Sequence, residues 1–203
     1  MFEQFDLDNE LLGGVANAGF KKPTSIQQLV LPEAMAGKDV LASAPTGTGK
    51  TAAFILPAAQ HLLDYPRTKP GFPRVLILSP TRELALQIHE QTEKLTGLTK
   101  IKSGVITGGV NYGSHKEILT STTDMLIATP GRLLEYIENE QFDAREIEIL
   151  ILDEADRMLD MGFADTINRI VAEARWRKQT MLFSATLEGN PVIRFAQDVL
   201  TDP

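Results

Sequence analysis

Two stretches of this chain are apolar at four successive positions, Val75-Leu76-Ile77-Leu78 and Ile149-Leu150-Ile151-Leu152. A strand sends alternate side chains to opposite faces, so such runs are stable only where both faces are covered. Short β-rich runs at Asp39–Ser43, Val75–Ser79, Ile101–Ile106, Met125–Ala128, Glu148–Asp153 and Thr180–Ser184 alternate with helical patterns at Thr51–Leu63, Glu83–Leu95 and Arg132–Glu138. Two further helical patterns, Asn9–Ala18 and Ile26–Ala36, precede the first strand, and Gly13 and Gly14 weaken the former by up to about 1 kcal/mol each. Strand–helix alternation requires crossover connections, which are right-handed and make the paired strands parallel. The segment Asp64–Arg74 holds Pro66, Pro70, Gly71 and Pro73, but the alternation continues unchanged beyond it, so it reads as a surface loop. The expectation is one α/β domain over residues 1–203, its mostly parallel central sheet flanked by helices on both faces.

Composition narrows the chemistry. The 203 residues contain no cysteine, which excludes disulfides, thiolate metal sites and cysteine nucleophiles. His61, His89 and His115 are scattered without ligand spacing. No apolar run approaches the roughly 18 residues of a membrane span. Glu3, Asp6, Asp8 and Glu10 in the first twenty residues are unlike a signal peptide, so the expected location is cytoplasmic. Twenty basic against 27 acidic residues give a net charge of −7, which argues against general affinity for a polyanion. Any nucleic-acid contact must come from local sites.

One such site lies between the first strand and its helix: Ala44-Pro45-Thr46-Gly47-Thr48-Gly49-Lys50-Thr51. A phosphate-binding loop needs glycines that turn amides inward, a lysine for the β/γ-phosphates and a hydroxyl for Mg²⁺. Gly47, Gly49, Lys50 and Thr51 supply these, with Ala44 where the general pattern has glycine. A glycine-rich turn without ligand is the plainer reading. Asp153-Glu154 ends a buried strand at the edge where open α/β sheets bind ligands, which fits Asp153 on Mg²⁺ and Glu154 on an attacking water. Acids also favour helix starts. Ser79-Pro80-Thr81-Arg82-Glu83 and Thr129-Pro130-Gly131-Arg132 combine hydroxyl, proline and arginine at helix starts, and Thr107-Gly108-Gly109 follows another strand. These could be ordinary caps, or could hold a phosphate backbone through amides and two arginines.

Taken together, the strings resemble the first RecA-like domain of the DEAD-box ATP-dependent RNA helicases. Asp153-Glu154-Ala155-Asp156 is the name-giving motif, and the family's phosphate loop itself begins with alanine. Pro80–Ala85, Gly108-Gly109, Thr129–Arg132 and Ser184-Ala185-Thr186 follow in family order, and Gly19–Gln27 with Phe2 upstream resembles the Q motif. The fold implied is a RecA-like P-loop NTPase domain, with residues 1–28 as Q-motif region and 29–203 as P-loop core. The resemblance implies ATP and Mg²⁺ as ligands. It implies Ala44–Thr51 around the phosphates, Gln27 on the adenine edge, Phe20 or Lys22 flanking the base, and Thr24 supporting the loop. It further implies RNA contacts from Pro80, Thr81, Arg82, Gly108, Gly109, Thr129, Gly131 and Arg132. Ser184 and Thr186 would link nucleotide state to strand separation through Asp156. Leu152–Phe163 and Ala174–Glu188 look most like a bacterial member that assists large-ribosomal-subunit assembly, so ribosomal proteins or pre-ribosomal particles are implied partners. The family's second RecA-like domain, with its arginine finger, is not represented after Pro203, which reads as a module of a two-domain enzyme. The alternative reading is a nucleotide-gated RNA clamp with negligible turnover.

Overall fold

The computed structural model describes residues 1–203, the side chain of Asn190 excepted. Six strands form one sheet: β1 (Val40–Ser43), β2 (Val75–Leu78), β3 (Ser103–Ile106), β4 (Met125–Ala128), β5 (Ile149–Leu152) and β6 (Gln179–Ser184). Their order across the sheet is β1-β6-β5-β2-β4-β3, and every pairing is parallel. The four-residue apolar runs have the predicted cause. From β2, Val75 and Ile77 enter one core while Leu76 and Leu78 enter the other, and β5 divides in the same way.

The first core is closed by α1 (Asn9–Asn17), α2 (Ser25–Met35), α3 (Lys50–Asp64) and α4 (Arg82–Thr96). The second is closed by α6 (Pro130–Glu138), α7 (Ala155–Asp160), α8 (Ala164–Glu173) and α9 (Asn190–Val199), with α5 (Tyr112–Thr120) at the β3 edge. Residues before 29 are not a separate layer: Leu11 and Val15 share a core with Phe54 and Ile77. Among the described residues no helix is long and apolar enough to cross a membrane.

Local chemistry explains where the element boundaries depart from the sequence reading. Asp39 lies outside β1 because its carboxylate accepts from the Thr180 and Thr201 amides, at 2.8 and 2.7 Å. β3 starts at Ser103 instead of Ile101, because the Lys102 amide turns to the Asp124 carboxylate at 2.8 Å. Four helices, α5, α7, α8 and α9, fall in gaps that the alternation leaves to helices but for which the sequence reading names no range. In α5 only His115 and Leu119 are buried, too sparse an apolar stripe to stand out. Gly14 proves necessary: a Cβ there would lie 2.0 Å from the Leu95 carbonyl oxygen, so its absence lets α1 approach α4.

Candidate functional site

The parallel register brings the carboxyl ends of all six strands to one edge. Ser43 pairs with Ser184, Leu152 with Leu182 and Leu78, and Ala128 with Leu78 and Ile106. The next residues of each strand therefore assemble along that edge, which gathers segments far apart in sequence.

The loop 44–49 leaves β1 there and enters α3. Gly47 and Gly49 have φ of 85° and 84°, the left-handed region that side chains other than glycine rarely adopt. α3 begins without a side-chain cap, so its first amides and positive dipole end face the loop's concavity. Lys50 is 5% exposed, and its Nζ lies 3.0 Å from Asp153 Oδ1 and 3.5 Å from Glu154 Oε1. Lys50 Nζ is therefore a buried ammonium whose charge is met by these two carboxylates. Glu154 Oε2 is buried without a hydrogen-bond donor among the described residues, while Thr46 Oγ1 donates to Glu154 Oε1 at 3.3 Å.

Asp153 and Glu154 follow β5. Burial pushes the Asp153 carboxyl above the ordinary aspartate range, and the Lys50 charge beside it opposes that rise. Glu154 holds φ 52°, ψ 51°, an uncommon conformation for a residue with a side chain. The strain aims its carboxylate back over the phosphate loop while its carbonyl starts α7. A cleft of about 270 Å³ is lined by Phe20, Thr46, Gly47, Gly49, Lys50, Thr51, Asp153 and Glu154, together with Leu84, Gln87, Ile88 and Gln91 of α4. The α4 residues were not among the sequence candidates, although their spacing from Leu84 places them on one helix face. A larger hollow of about 580 Å³, near Phe142 and Arg169, shares none of these residues.

The donor set fits a polyphosphate: uncapped helix amides, a buried ammonium facing two carboxylates, and inward-turned glycines. Among the described residues no group of three or more histidine, aspartate or glutamate side chains could hold a metal alone. A cation here would take Asp153 and the Thr51 hydroxyl as protein ligands, with phosphate oxygens and waters completing it.

Gln27 is placed differently from its expected free adenine-reading edge. It is fully buried, its Oε1 accepts from the Thr24 amide at 2.9 Å, and its Nε2 donates to the Gly49 carbonyl at 3.0 Å. In return Thr24 Oγ1 accepts from the Gln27 backbone amide at 3.4 Å, so the pair caps α2 and ties that cap to the phosphate loop. Phe20 borders the cleft and Lys22 is exposed. Thr48 Oγ1 closes the loop on the Pro45 carbonyl at 2.6 Å.

The expected RNA residues divide. Arg82, Gly108 and Gly109 are exposed, Gly131 is half-buried, and Thr81 caps α4 through the Leu84 amide at 3.3 Å. Pro80 and Thr129 are buried, and Thr129 Oγ1 accepts from the Gly108 amide at 3.2 Å. Arg132 donates to the Val110 carbonyl at 2.5 Å and pairs with Glu135 at 3.1 Å. Of the two expected arginine clamps, only Arg82 has its guanidinium uncommitted among the described residues. Ser184 Oγ donates to the Thr186 carbonyl at 2.5 Å, but among the described residues no hydrogen bond or ion pair joins Asp156 to either residue. The direct tie from this segment to the phosphate loop is backbone, Ala44 N–H to the Ser184 carbonyl at 2.9 Å.

A parallel sheet with this loop and acid pair at its carboxyl edge defines a P-loop nucleotide-binding domain. Comparison with known proteins narrows the class. Residues 24–195 match the family model described as DEAD/DEAH box helicase, and the chain belongs to that family. It is 58% identical over 202 residues to the ATP-dependent RNA helicase SrmB of Haemophilus influenzae and 56% identical to that of Escherichia coli. Each alignment covers 100% of this chain and 46% of the relative, so the chain spans about half the length of these relatives. A crystal structure of a hypothetical ATP-dependent RNA helicase from Sulfolobus tokodaii superposes with a TM-score of 0.85 at 33% identity, over 97% of this chain and 56% of that one.

Proposed function

We propose that this chain is the ATP-binding and hydrolysing module of an RNA helicase that locally separates RNA strands. The observation that carries the reading is the buried Lys50 ammonium set between an uncapped helix start and the Asp153–Glu154 pair. Likeness to relatives named ATP-dependent RNA helicase supports ATP as the nucleotide and RNA as the polymer.

In this reading the Gly47–Thr51 amides and Lys50 bind the β- and γ-phosphates, and Lys50 exchanges part of its pairing with Asp153 for phosphate oxygen. Asp153 and Thr51 hold Mg²⁺, which when bound neutralises charge on the phosphates. Glu154, fixed by its backbone conformation and by Thr46, orients water and accepts its proton at the carboxylate. Positioning and charge stabilisation carry the catalysis, with no covalent step on the protein. Arg82 and the free Gly109 amide contact RNA sugar and phosphate beside the exposed Gly108, which gives little base specificity. Gln27 holds the loop through Gly49 and Thr24 with one donor and one acceptor site, and its second N–H and second oxygen lone pair are the groups that would meet an adenine edge. A second RecA-like domain completes the site and supplies an arginine. We place this work on ribosome precursors in the cytoplasm, with ribosomal proteins as partners, as the sequence resemblance implies.

The test is Glu154→Gln in the complete protein. Hydrolysis with RNA present falls by about 10²-fold or more while ATP affinity stays within about threefold, since the amide keeps the shape but cannot take a proton. RNA-stimulated turnover equal to the unsubstituted protein would remove Glu154 from this role.

A further inference from the structure

The loop Thr107–Val110 joins β3 to α5, and its two glycines cannot hold themselves in place. Gly109 has φ 78°, and a Cβ built at Gly108 or Gly109 would meet nothing within 4 Å. The direction of the loop must be imposed by neighbours, and three anchors do so. Thr129 takes the Gly108 amide, Arg132 takes the Val110 carbonyl, and the Thr107 amide donates to His115 Nε2 at 3.4 Å. The Gly109 amide has no acceptor among the described residues and is exposed.

The third anchor is an unusual use of a buried side chain. His115 is 3% exposed, and its Nδ1 lies 2.6 Å from the hydroxyl of Tyr136, itself 4% exposed. The rings meet nearly perpendicular, at 83° with centroids 5.6 Å apart, and Tyr112 packs edge-on against Tyr136 at 6.0 Å. An amide can only donate, so Nε2 is the acceptor, and the proton of the neutral ring sits on Nδ1 and is given to Tyr136. Burial, and then the charge of Arg132, hold the imidazole below the ordinary histidine range, which keeps that acceptor available at neutral pH. An apolar residue would satisfy the core at this position, but it would leave the Thr107 amide unpaired.

We propose that His115 is a positioning residue for RNA binding: with its tautomer fixed by Tyr136, it holds the Thr107 amide and thereby presents the Gly108–Gly109 backbone to a sugar–phosphate chain. The proposal rests on the RNA reading above, and it assigns His115 and Tyr136 a role that their place inside the fold conceals.

The test uses the ¹⁵N-labelled 203-residue chain, titrated with an oligouridylate ten-mer and, separately, with ADP. In the unsubstituted chain the Gly108 and Gly109 amides shift with RNA. In His115→Leu the Thr107 amide exchanges with solvent about tenfold faster and RNA affinity falls about five- to tenfold, as loss of one buried hydrogen bond implies, while ADP affinity stays within twofold. His115→Gln, which again offers an acceptor, recovers RNA affinity to within about threefold. Tyr136→Phe, which keeps the ring packing, weakens RNA binding about two- to threefold by freeing the tautomer, and it carries the test should the leucine variant not fold. RNA affinity unchanged in both His115→Leu and Tyr136→Phe would overturn the proposal and leave the RNA reading standing. RNA and ADP affinities falling together would also overturn it, by showing a general structural role. No shift of the unsubstituted chain at millimolar RNA would instead fail the RNA reading itself, and the proposal with it.

Discussion

Gln27 offers the sharpest separation between reading a base and holding a loop. Methionine has nearly the same volume and shape but neither donor nor acceptor. Gln27→Met therefore removes the bonds to the Thr24 amide, at 2.9 Å, and to the Gly49 carbonyl, at 3.0 Å, without opening a cavity. Each lost bond costs about 1 kcal/mol, and each partner left unpaired beside a fully buried side chain costs about 1 kcal/mol more. The sum is about 2–4 kcal/mol, which for a domain of this size lowers the melting temperature by about 5–12 °C. Thermal unfolding followed by circular dichroism, without nucleotide, reads this directly. Gln27→Glu adds a signed pH test. Its carboxylate can still accept from Thr24 but faces the Gly49 carbonyl with no proton to give, so it is the less stable variant at neutral pH. Protonation in acid restores the donor, and the gap to the unsubstituted chain narrows as pH falls from 8 towards 5. A Gln27→Met chain that melts within about 1 °C of the unsubstituted protein would show that the two bonds contribute nothing, and the loop-holding role would be lost.

Three further outcomes are expected. Gly14→Ala forces a Cβ to 2.0 Å from the Leu95 carbonyl oxygen and costs about 2–4 kcal/mol in thermal unfolding, whereas Gly13→Ala meets only the Leu98 side chain and is neutral or stabilising; equal effects would contradict the close approach of α1 to α4. Arg82→Ala in the complete protein lowers the slope of log affinity for single-stranded RNA against log salt by about 0.7, read by fluorescence anisotropy, and an unchanged slope would remove Arg82 from the phosphate contacts. Burial opposes ionisation of Glu148, but hydrogen bonds from His61 and Arg74 outweigh it and hold the carboxyl below the ordinary glutamate range. Its stabilisation is present above the unfolded-state value and lost as pH falls through the folded one, so Glu148→Gln flattens the acid side of the stability profile; an unaltered profile would show that the cluster contributes nothing.

The fold was legible where the sequence repeats a physical pattern. Runs such as Val75–Leu78, set between helical patterns, read as strands covered on both faces, and the glycines of 44–51, followed by a lysine and a hydroxyl, read as a backbone turned inward. The site's composition was legible for the same reason: Lys50, Asp153 and Glu154 are residue types whose burial needs a partner, and they meet at one sheet edge. What the sequence hid was pairing. Nothing in the letters says that Thr129 and Arg132 spend their hydrogen bonds on the 108–110 loop, or that the Gln27 amide is closed between Thr24 and Gly49. Helix α5 was hidden because only His115 and Leu119 of it are buried, and α7 because it is only six residues long; α8 and α9 carry plain helical stripes, Ile167 with Ile170 and Val192 with Phe195, Ala196 and Val199. The reason for Gly14 lies eighty residues away in α4, beyond any local pattern.

The most direct test of the nucleotide site is a crystal structure of this chain grown with ADP and Mg²⁺. The expected result is a β-phosphate held by the Gly47–Thr51 amides and Lys50 Nζ, with the metal reached through Thr51 and Asp153. A diphosphate bound elsewhere, with Lys50 still closed on Asp153 and Glu154, would contradict the assignment of this loop as the phosphate cradle.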